Sequence, residues 1–279
     1  MDKISVLGCG WLGFPLAKSL LEKGFTVKGS TTSLEKMSTL EKNGISPFQI
    51  ELSEQEIKGE IALFLENSKT LIINIPPSLR GKDSSTGLGM TLVKKIQTLI
   101  PFIEKSSVKN VIFISSTSVY ADDNTIISEA TKPHPNTENG KQLVAAELIL
   151  QNNKNFRTTI VRFGGLIGEN RHPITFLSGK STIENPDAPI NLIHQEDCIG
   201  VIEKILLPNS RNQNSNLERN ETFNAVAPFH PTRKAYYTQK AIERNLPLPE
   251  FDESKPSVGK TISSNKIETI LKYQFKNKL

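Results

Sequence analysis

Short apolar runs alternate along the chain with longer stretches of helical periodicity. "KISVLG" at residues 3–8 is strand-like, and Leu12, Leu16 and Leu20 with Ala17 and Leu21 follow at helical spacing, with Gly24 placed to end the helix. "FTVKGS" predicts a second strand and "TSLEKMSTLEKNG" a second helix. "KTLIINIPPS" predicts a buried strand stopped by Pro76 and Pro77, and residues 90–107 predict an amphipathic helix kinked at Pro101. "KNVIFISS", "NGKQLVAAELILQNN" and "RTTIVRFGG" continue as strand, helix and strand. A β-branched run such as "VIFI" suits a strand buried on both faces, and strand–helix alternation predicts a parallel sheet covered on both sides. After Gly165 the pattern loosens. "NLIHQEDCIGVIEKILLP" predicts a helix with its lead-in, "PNSRNQNSNLERN" a polar loop, "ETFNAVA" a short strand and "TRKAYYTQKAIERN" a helix. The tail from "VGKTISS" onward holds one more helix.

The 279 residues suit about two domains at ~150 residues each. The net charge is +5, but the lysines are scattered and no basic run with interleaved aromatics occurs. The charge therefore reads as a solvated surface, and nucleic acid is not an expected partner. Cys9 and Cys198 are too few for a disulfide or zinc framework, and the four histidines are too far apart for a metal site. The chain enters its first strand directly, and no apolar run nears the ~20 residues of a membrane span. A cytoplasmic monomer or homodimer acting on a small-molecule substrate, without a membrane partner, is expected.

"VLGCGWLG" changes the picture. Gly8, Gly10 and Gly13 stand in G-x-G-x-x-G spacing between a strand and a helix, the context that gives this spacing meaning. Gly8 would make the tight turn, Gly10 would admit a pyrophosphate to the backbone, and Gly13 would let helix and strand pack closely. The helix N-terminus would stabilise the phosphates. The fold class expected is α/β: a doubly wound parallel Rossmann sheet over residues 1–165, with a smaller, partly interleaved substrate lobe over residues 166–279. The cofactor-binding candidates are Gly8, Gly10, Trp11, Leu12 and Gly13 in the loop. Ser30, Thr31 and Thr32 join them from the end of the second strand, and Ile75 and Pro76 from the end of "KTLII". Lys28 and the hydroxyls from Ser30 to Ser33 stand where an acid would bind the ribose of NAD, which favours NADP, with NAD as second choice. Glu35 is the carboxylate of this region, and Thr32-x-x-Glu35 has the form of a capping box. Arg80 and Lys82 lie in a Gly/Ser-rich loop near the expected crevice, either as a mobile flap or as ordinary solvated residues.

The order of several stretches resembles the extended short-chain dehydrogenase/reductase family, the NAD(P)-dependent epimerases and dehydratases. The stretches are "VLGCGWLG", "VIFISSTSVYADD", "LVAAELIL", "VRFGGLIGENRHP", "INLIHQEDC" and "TFNAVAPFHPTRKAYY". The resemblance implies that Ser116, with Thr117 beside it, hydrogen-bonds the reacting oxygen of a substrate; the other reading is that these hydroxyls only satisfy backbone at a strand end. It also implies a Tyr-x-x-x-Lys pair on the next helix. Alignment on "AAE" puts Asn139 and Leu143 there, and no tyrosine occurs between Tyr120 and Tyr236. Tyr120 would be left for proton transfer, or would pack against the cofactor. His194 reads as a satisfied histidine with a proton role in reserve, Asp197 as a helix cap, and Arg162, Arg171 and His172 as candidates to grip a substrate anion. The function implied is an NAD(P)-binding, epimerase/dehydratase-like oxidoreductase acting on a nucleotide sugar or another small carbonyl or alcohol compound. The alternative is a catalytically silent NADP-binding sensor or scaffold. More distant is an isomerase or dehydratase that uses bound cofactor without net turnover.

Overall fold

Strand β1 (Lys3–Leu7) runs into the glycine loop and helix α1 (Gly13–Glu22), which ends at Gly24 in the left-handed region, φ +85°. Then come β2 (Thr26–Thr31), α2 (Glu35–Lys42) and β3 (Ser46–Gln49). A small antiparallel pair, β4 (Glu51–Leu52) and β5 (Ile57–Lys58), leads to α3 (Ile61–Leu65) and β6 (Thr70–Ile73). Next are α4 (Thr91–Glu104), which carries Pro101 in its interior, β7 (Asn110–Ser116), β8 (Ile126–Ile127), α5 (Glu138–Asn152) and β9 (Arg157–Phe163). The remainder holds β10 (Gly165–Ile167), α6 (Ile174–Leu177), β11 (Leu192–His194) and α7 (Gln195–Leu206). It ends with β12 (Glu221–Ala225), α8 (Arg233–Glu243) and β13 (Thr261–Ile262). This computed structural model describes residues 2–77, 91–207 and 220–277. Arg80, Lys82 and the polar loop "PNSRNQNSNLER" lie outside the described residues.

Seven strands form one parallel sheet in the order β12-β9-β7-β6-β1-β2-β3. Alternation along each strand sorts the core. Leu71, Ile73, Val111, Phe113 and Ile160 pack with α3, α4 and α5, whereas Ile4, Val6, Ile72, Ile112 and Val161 pack with α1 and α7. The strand order reverses between β1 and β6, and a ligand crevice in such a sheet opens at that reversal, outside the carboxyl ends of the strands. A third apolar cluster, of Ile167, Ile174, Ile190, Leu192, Tyr236, Tyr237 and Ala241, sits in the C-terminal third of the chain. This third is not separate from the sheet: β12 is its edge strand, and β13 pairs with β8.

The structure corrects several local expectations. α2 begins at Leu34 with no side-chain cap, so Thr32-x-x-Glu35 is not a capping box; the Thr31 hydroxyl turns back instead and accepts from the Ser33 N–H at 3.1 Å. Asp197 does not cap α7. His194 does, its Nδ1 accepting from the Glu196 N–H, while Asp197 is fully buried and binds the chain's tail through the Tyr273 hydroxyl (2.7 Å) and the N–H groups of Lys276 and Asn277. The tail helix is one turn, Ile267–Leu271, ended by Lys272 at φ +52°. The edge strand β3 and the short β4, β5, β8 and β10 give too little alternation to be seen in the sequence.

Candidate functional site

The glycine loop is built by collisions its residues avoid. Gly8 adopts φ +102°, and a Cβ there would collide with the Asn74 carbonyl oxygen. A Cβ at Gly13 would collide with the Gly8 carbonyl oxygen. The Asn74 side chain, just past β6, locks the turn by donating to that oxygen at 2.9 Å, and the Ser30 hydroxyl at the end of β2 accepts from the Gly8 N–H at 2.9 Å. Gly10 is different. Its φ is ordinary, and no atom of the described residues lies within 4 Å of the position a Cβ would take. Packing and backbone conformation therefore account for Gly8 and Gly13 but not for Gly10, whose missing side chain leaves open room against the first turn of α1. Among the described residues no side chain caps that turn, and no acid stands in it; the Phe14 and Leu16 N–H groups bond to the Gly10 and Leu12 carbonyls and Pro15 has none, so the N–H groups from Gly10 to Gly13 are the ones that can receive an anion. Cys9, between the two glycines, is inert: burial pushes its thiol pKa up to about 12.

The polar groups placed beside the loop divide. Ser30 and Thr31 lie at the end of β2 and are engaged as described, while Thr32 is exposed. Ile75 lies beside Gly8, and Pro76 is exposed at the same rim. Lys28 is not at the crevice, which corrects its expected role on a 2′-phosphate. It stands two residues inside β2, and its ammonium donates to the Leu63 and Glu66 carbonyls at the end of α3, 2.5 and 2.8 Å away. Burial, and next the charge of Lys3, hold its pKa below the ordinary lysine value.

The hydroxyl cluster beyond β7 also divides, by strand alternation. Ser115 is buried and donates to Glu147 of α5. Ser116 is half-buried, and its oxygen accepts from the Ser118 N–H at 3.2 Å to cap a 3-10 turn over Thr117–Val119. Its own O–H has no acceptor among the described residues. Thr117 is buried. Tyr120 is 2 % exposed; its hydroxyl accepts from Arg162 and donates to the Asn224 side-chain oxygen at 3.0 Å. Burial holds its pKa above the ordinary tyrosine value, against the nearby Arg162 charge. Arg162 is 6 % exposed and is held by a two-pronged ion pair with Glu147. Both residues thus belong to a buried network joining β7, α5, β9 and β12, which engages the Tyr120 hydroxyl and the Arg162 guanidinium with partners inside the fold.

Helix α5 is set against the hydroxyl turn by Gly140, where a Cβ would collide with the Ser118 carbonyl oxygen. This places Asn139 at the turn, its Oδ1 buried with no hydrogen-bond partner among the described residues. Leu143 is 3 % exposed and part of the apolar core. His172, 4 % exposed, does not face a ligand: its Nδ1 accepts from the Ile174 N–H, and its Nε2–H donates to the Tyr236 hydroxyl at 2.9 Å. Burial, with the charges of Arg244 and Lys240, lowers its pKa to about 4.

Three residues after Gly165 make contacts that went unseen in the sequence. The Arg171 guanidinium lies 5.0 Å from the centre of the Trp11 ring, and Gln195 donates to the Trp11 carbonyl at 2.6 Å. Lys260 donates to the Tyr120 carbonyl at 2.7 Å and pairs with Asp122 at 3.0 Å. No local signal marks residues that meet across more than a hundred positions.

The sequence model of the NAD dependent epimerase/dehydratase family matches residues 4–183. The chain is 31% identical over 283 aligned positions to protein YeeZ of Escherichia coli K12, covering 100% of this chain and 98% of that one. Among solved structures, the UDP-glucuronic acid 4-epimerase of Bacillus cereus in complex with NAD superposes with a TM-score of 0.78 at 17% identity, over 99% of this chain and 92% of that one. A conserved protein of unknown function from Silicibacter pomeroyi superposes with a TM-score of 0.73 at 21% identity, over 99% and 94%. The chain belongs to the NAD dependent epimerase/dehydratase family.

Proposed function

We propose that this protein binds a nicotinamide dinucleotide on the glycine loop and acts as an epimerase/dehydratase-like oxidoreductase on a nucleotide sugar or another small carbonyl or alcohol compound. The observation that carries the reading is the open space at Gly10, which no packing among the described residues accounts for. Residues 1–165 would hold the dinucleotide through Gly8, Gly10, Trp11, Leu12 and Gly13, with Ser30, Thr31, Thr32, Ile75 and Pro76 at the rim. Residues 166–279 would supply the substrate lobe. The bound cofactor would supply hydride exchange with a substrate carbon. Ser116 has its O–H free to donate to the oxygen on that carbon, with Thr117 beside it. NADP remains the favoured form, on the hydroxyls from Thr31 to Ser33, without Lys28.

A second reading, a dinucleotide-binding sensor without catalysis, is favoured by one group of facts. Tyr120 is engaged in its network, and Asn139 and Leu143 supply no ionisable group on α5. Two measurements decide. Calorimetric titration with NAD and NADP tests the common premise, and a parent that binds neither overturns both readings. A screen of NADPH oxidation and of sugar-nucleotide conversion then separates them: turnover supports the oxidoreductase, whereas tight binding with no turnover on any compound supports the sensor.

A further inference from the structure

The amino ends of the central strands carry a feature that the dinucleotide site leaves unused. The Lys69 N–H donates to the Lys3 carbonyl, the Lys109 N–H to the Lys69 carbonyl, and the Arg157 N–H to the Lys109 carbonyl, at 3.0, 2.9 and 2.9 Å. One hydrogen-bond ladder thus sets a cation at the start of each of the adjacent strands β1, β6, β7 and β9. Neighbouring strands lie only ~4.8 Å apart. Of these four, Lys69 has a carboxylate, Asp2 at 2.6 Å; Lys3, Lys109 and Arg157 have none among the described residues.

At one end of the row lies an open surface cavity of about 350 Å³, lined by the exposed Lys109, Asn110, Lys154, Asn155 and Arg157 and by the buried Phe156. Lys154 has no carboxylate partner among the described residues either. Glu104, an acid at this rim, accepts the side-chain amides of Asn153 and Asn155 at 2.7 and 3.0 Å. Together with the Asn155 N–H bonded to the Asn153 side chain, this fixes the turn that carries Lys154. Phe156 is buried beneath it. The carbonyl ends of α4 and α5 reach this edge, and their partial negative charge favours cations nearby. That accounts for Lys105 and Lys154, which follow the two helices. It does not account for Lys3, Lys109 and Arg157, which stand on or just before strands, side by side against their mutual repulsion.

We propose that this cavity binds a small phosphorylated ligand through its diphosphate group, at the end of the sheet opposite the glycine loop. Its volume falls within the range of small-molecule sites. Arg157 offers a planar fork to one phosphate, Lys109 and Lys154 offer point charges, and Asn110 and Asn155 frame the opening. The proposal does not depend on the dinucleotide reading.

The probe is inorganic pyrophosphate, titrated calorimetrically into the full chain, into the exposed-surface double variant Lys109→Ala/Arg157→Ala, and into Gly10→Val. The expected result is millimolar or tighter binding that survives Gly10→Val and weakens ~tenfold or more in the double variant, the loss expected for charge-assisted contacts. Arg157→Lys alone should lose part of it, and raising NaCl from about 50 to 500 mM should weaken it in the parent. Pyrophosphate binding that is intact in the double variant and lost in Gly10→Val belongs to the glycine loop and overturns the proposal. So does an absence of binding by the parent. Retention of the parent on phosphatidylserine vesicles that pyrophosphate fails to displace would assign the patch to a membrane surface and overturn it as well.

Discussion

The two ends of the sheet offer different means of meeting an anion. At the carboxyl ends the apparatus is backbone: an uncapped helix turn and a glycine loop with room at Gly10. At the amino ends it is side-chain charge, in a row from Lys3 to Arg157. A parallel sheet with crossover helices imposes this division. Helix N-termini gather at the carboxyl edge, where bare N–H groups suffice. Helix C-termini gather at the other edge, where an anion is welcome only if cations outweigh the carbonyl ends. The first device is compact in sequence because one turn builds it. The second is dispersed because each strand contributes one residue.

The largest expected effect separates the roles of two glycines within the first device. Gly13→Ala drives a methyl into the Gly8 carbonyl and should cost about 3 kcal/mol or more of stability, read by urea denaturation. Gly10→Val meets open space and should leave stability within about 1 kcal/mol, yet weaken dinucleotide binding ~100-fold or more by blocking backbone contacts to the pyrophosphate. A Gly10→Val protein that binds NAD and NADP like the parent would break the comparison at its carboxyl end.

Ser116→Ala comes next. Losing one donor to a developing oxyanion should lower turnover by about two powers of ten while dinucleotide affinity stays as it was. An active parent indifferent to this change would leave Ser116 with only its capping bond to Ser118. Cofactor choice is a finer matter. NADP should bind about tenfold more tightly than NAD, less than a placed lysine would give, because Lys28 is held by α3. A preference for NAD would instead assign the ribose to Glu35 in the first turn of α2.

A last effect lies away from both ends and serves as their control in pH work. His172 has a pKa of about 4 when folded and an ordinary value near 6.5 when unfolded. Between these pH values the unfolded chain holds a proton that the folded chain does not. Stability from this residue is therefore full above about pH 6.5 and falls as pH drops toward 4, by up to about 3 kcal/mol. Urea denaturation against pH should show that slope in the parent and lose it in His172→Gln. An unchanged slope in the variant would mean that other groups carry it.

Legibility followed locality. The strands β1, β2, β6, β7 and β9 and the helices α1, α2, α4 and α5 stood out because each carries its own period, and the glycine loop because strand, turn and helix adjoin; the five-residue α3 was too short to show one. Lys28 misled because nearness in sequence to Ser30 concealed where its long side chain ends, on carbonyls of α3. Tyr120 and Arg162 looked available because their partners, Asn224 and Glu147, come from other elements. Asp197 looked like a cap because the tail residues it binds lie some eighty positions away.

The sequence by itself determined the α/β class, the parallel sheet and the glycine loop between strand and helix, since hydrophobic period and glycine spacing act over a few residues and no distant partner is needed to express them. Only the tertiary structure decided which polar side chains remain free. Burial forces each hydroxyl, guanidinium and carboxylate to find a partner, and that partner is chosen by which strands lie side by side. The same adjacency turned lysines that look scattered along the chain into one line of charge at the sheet's amino edge.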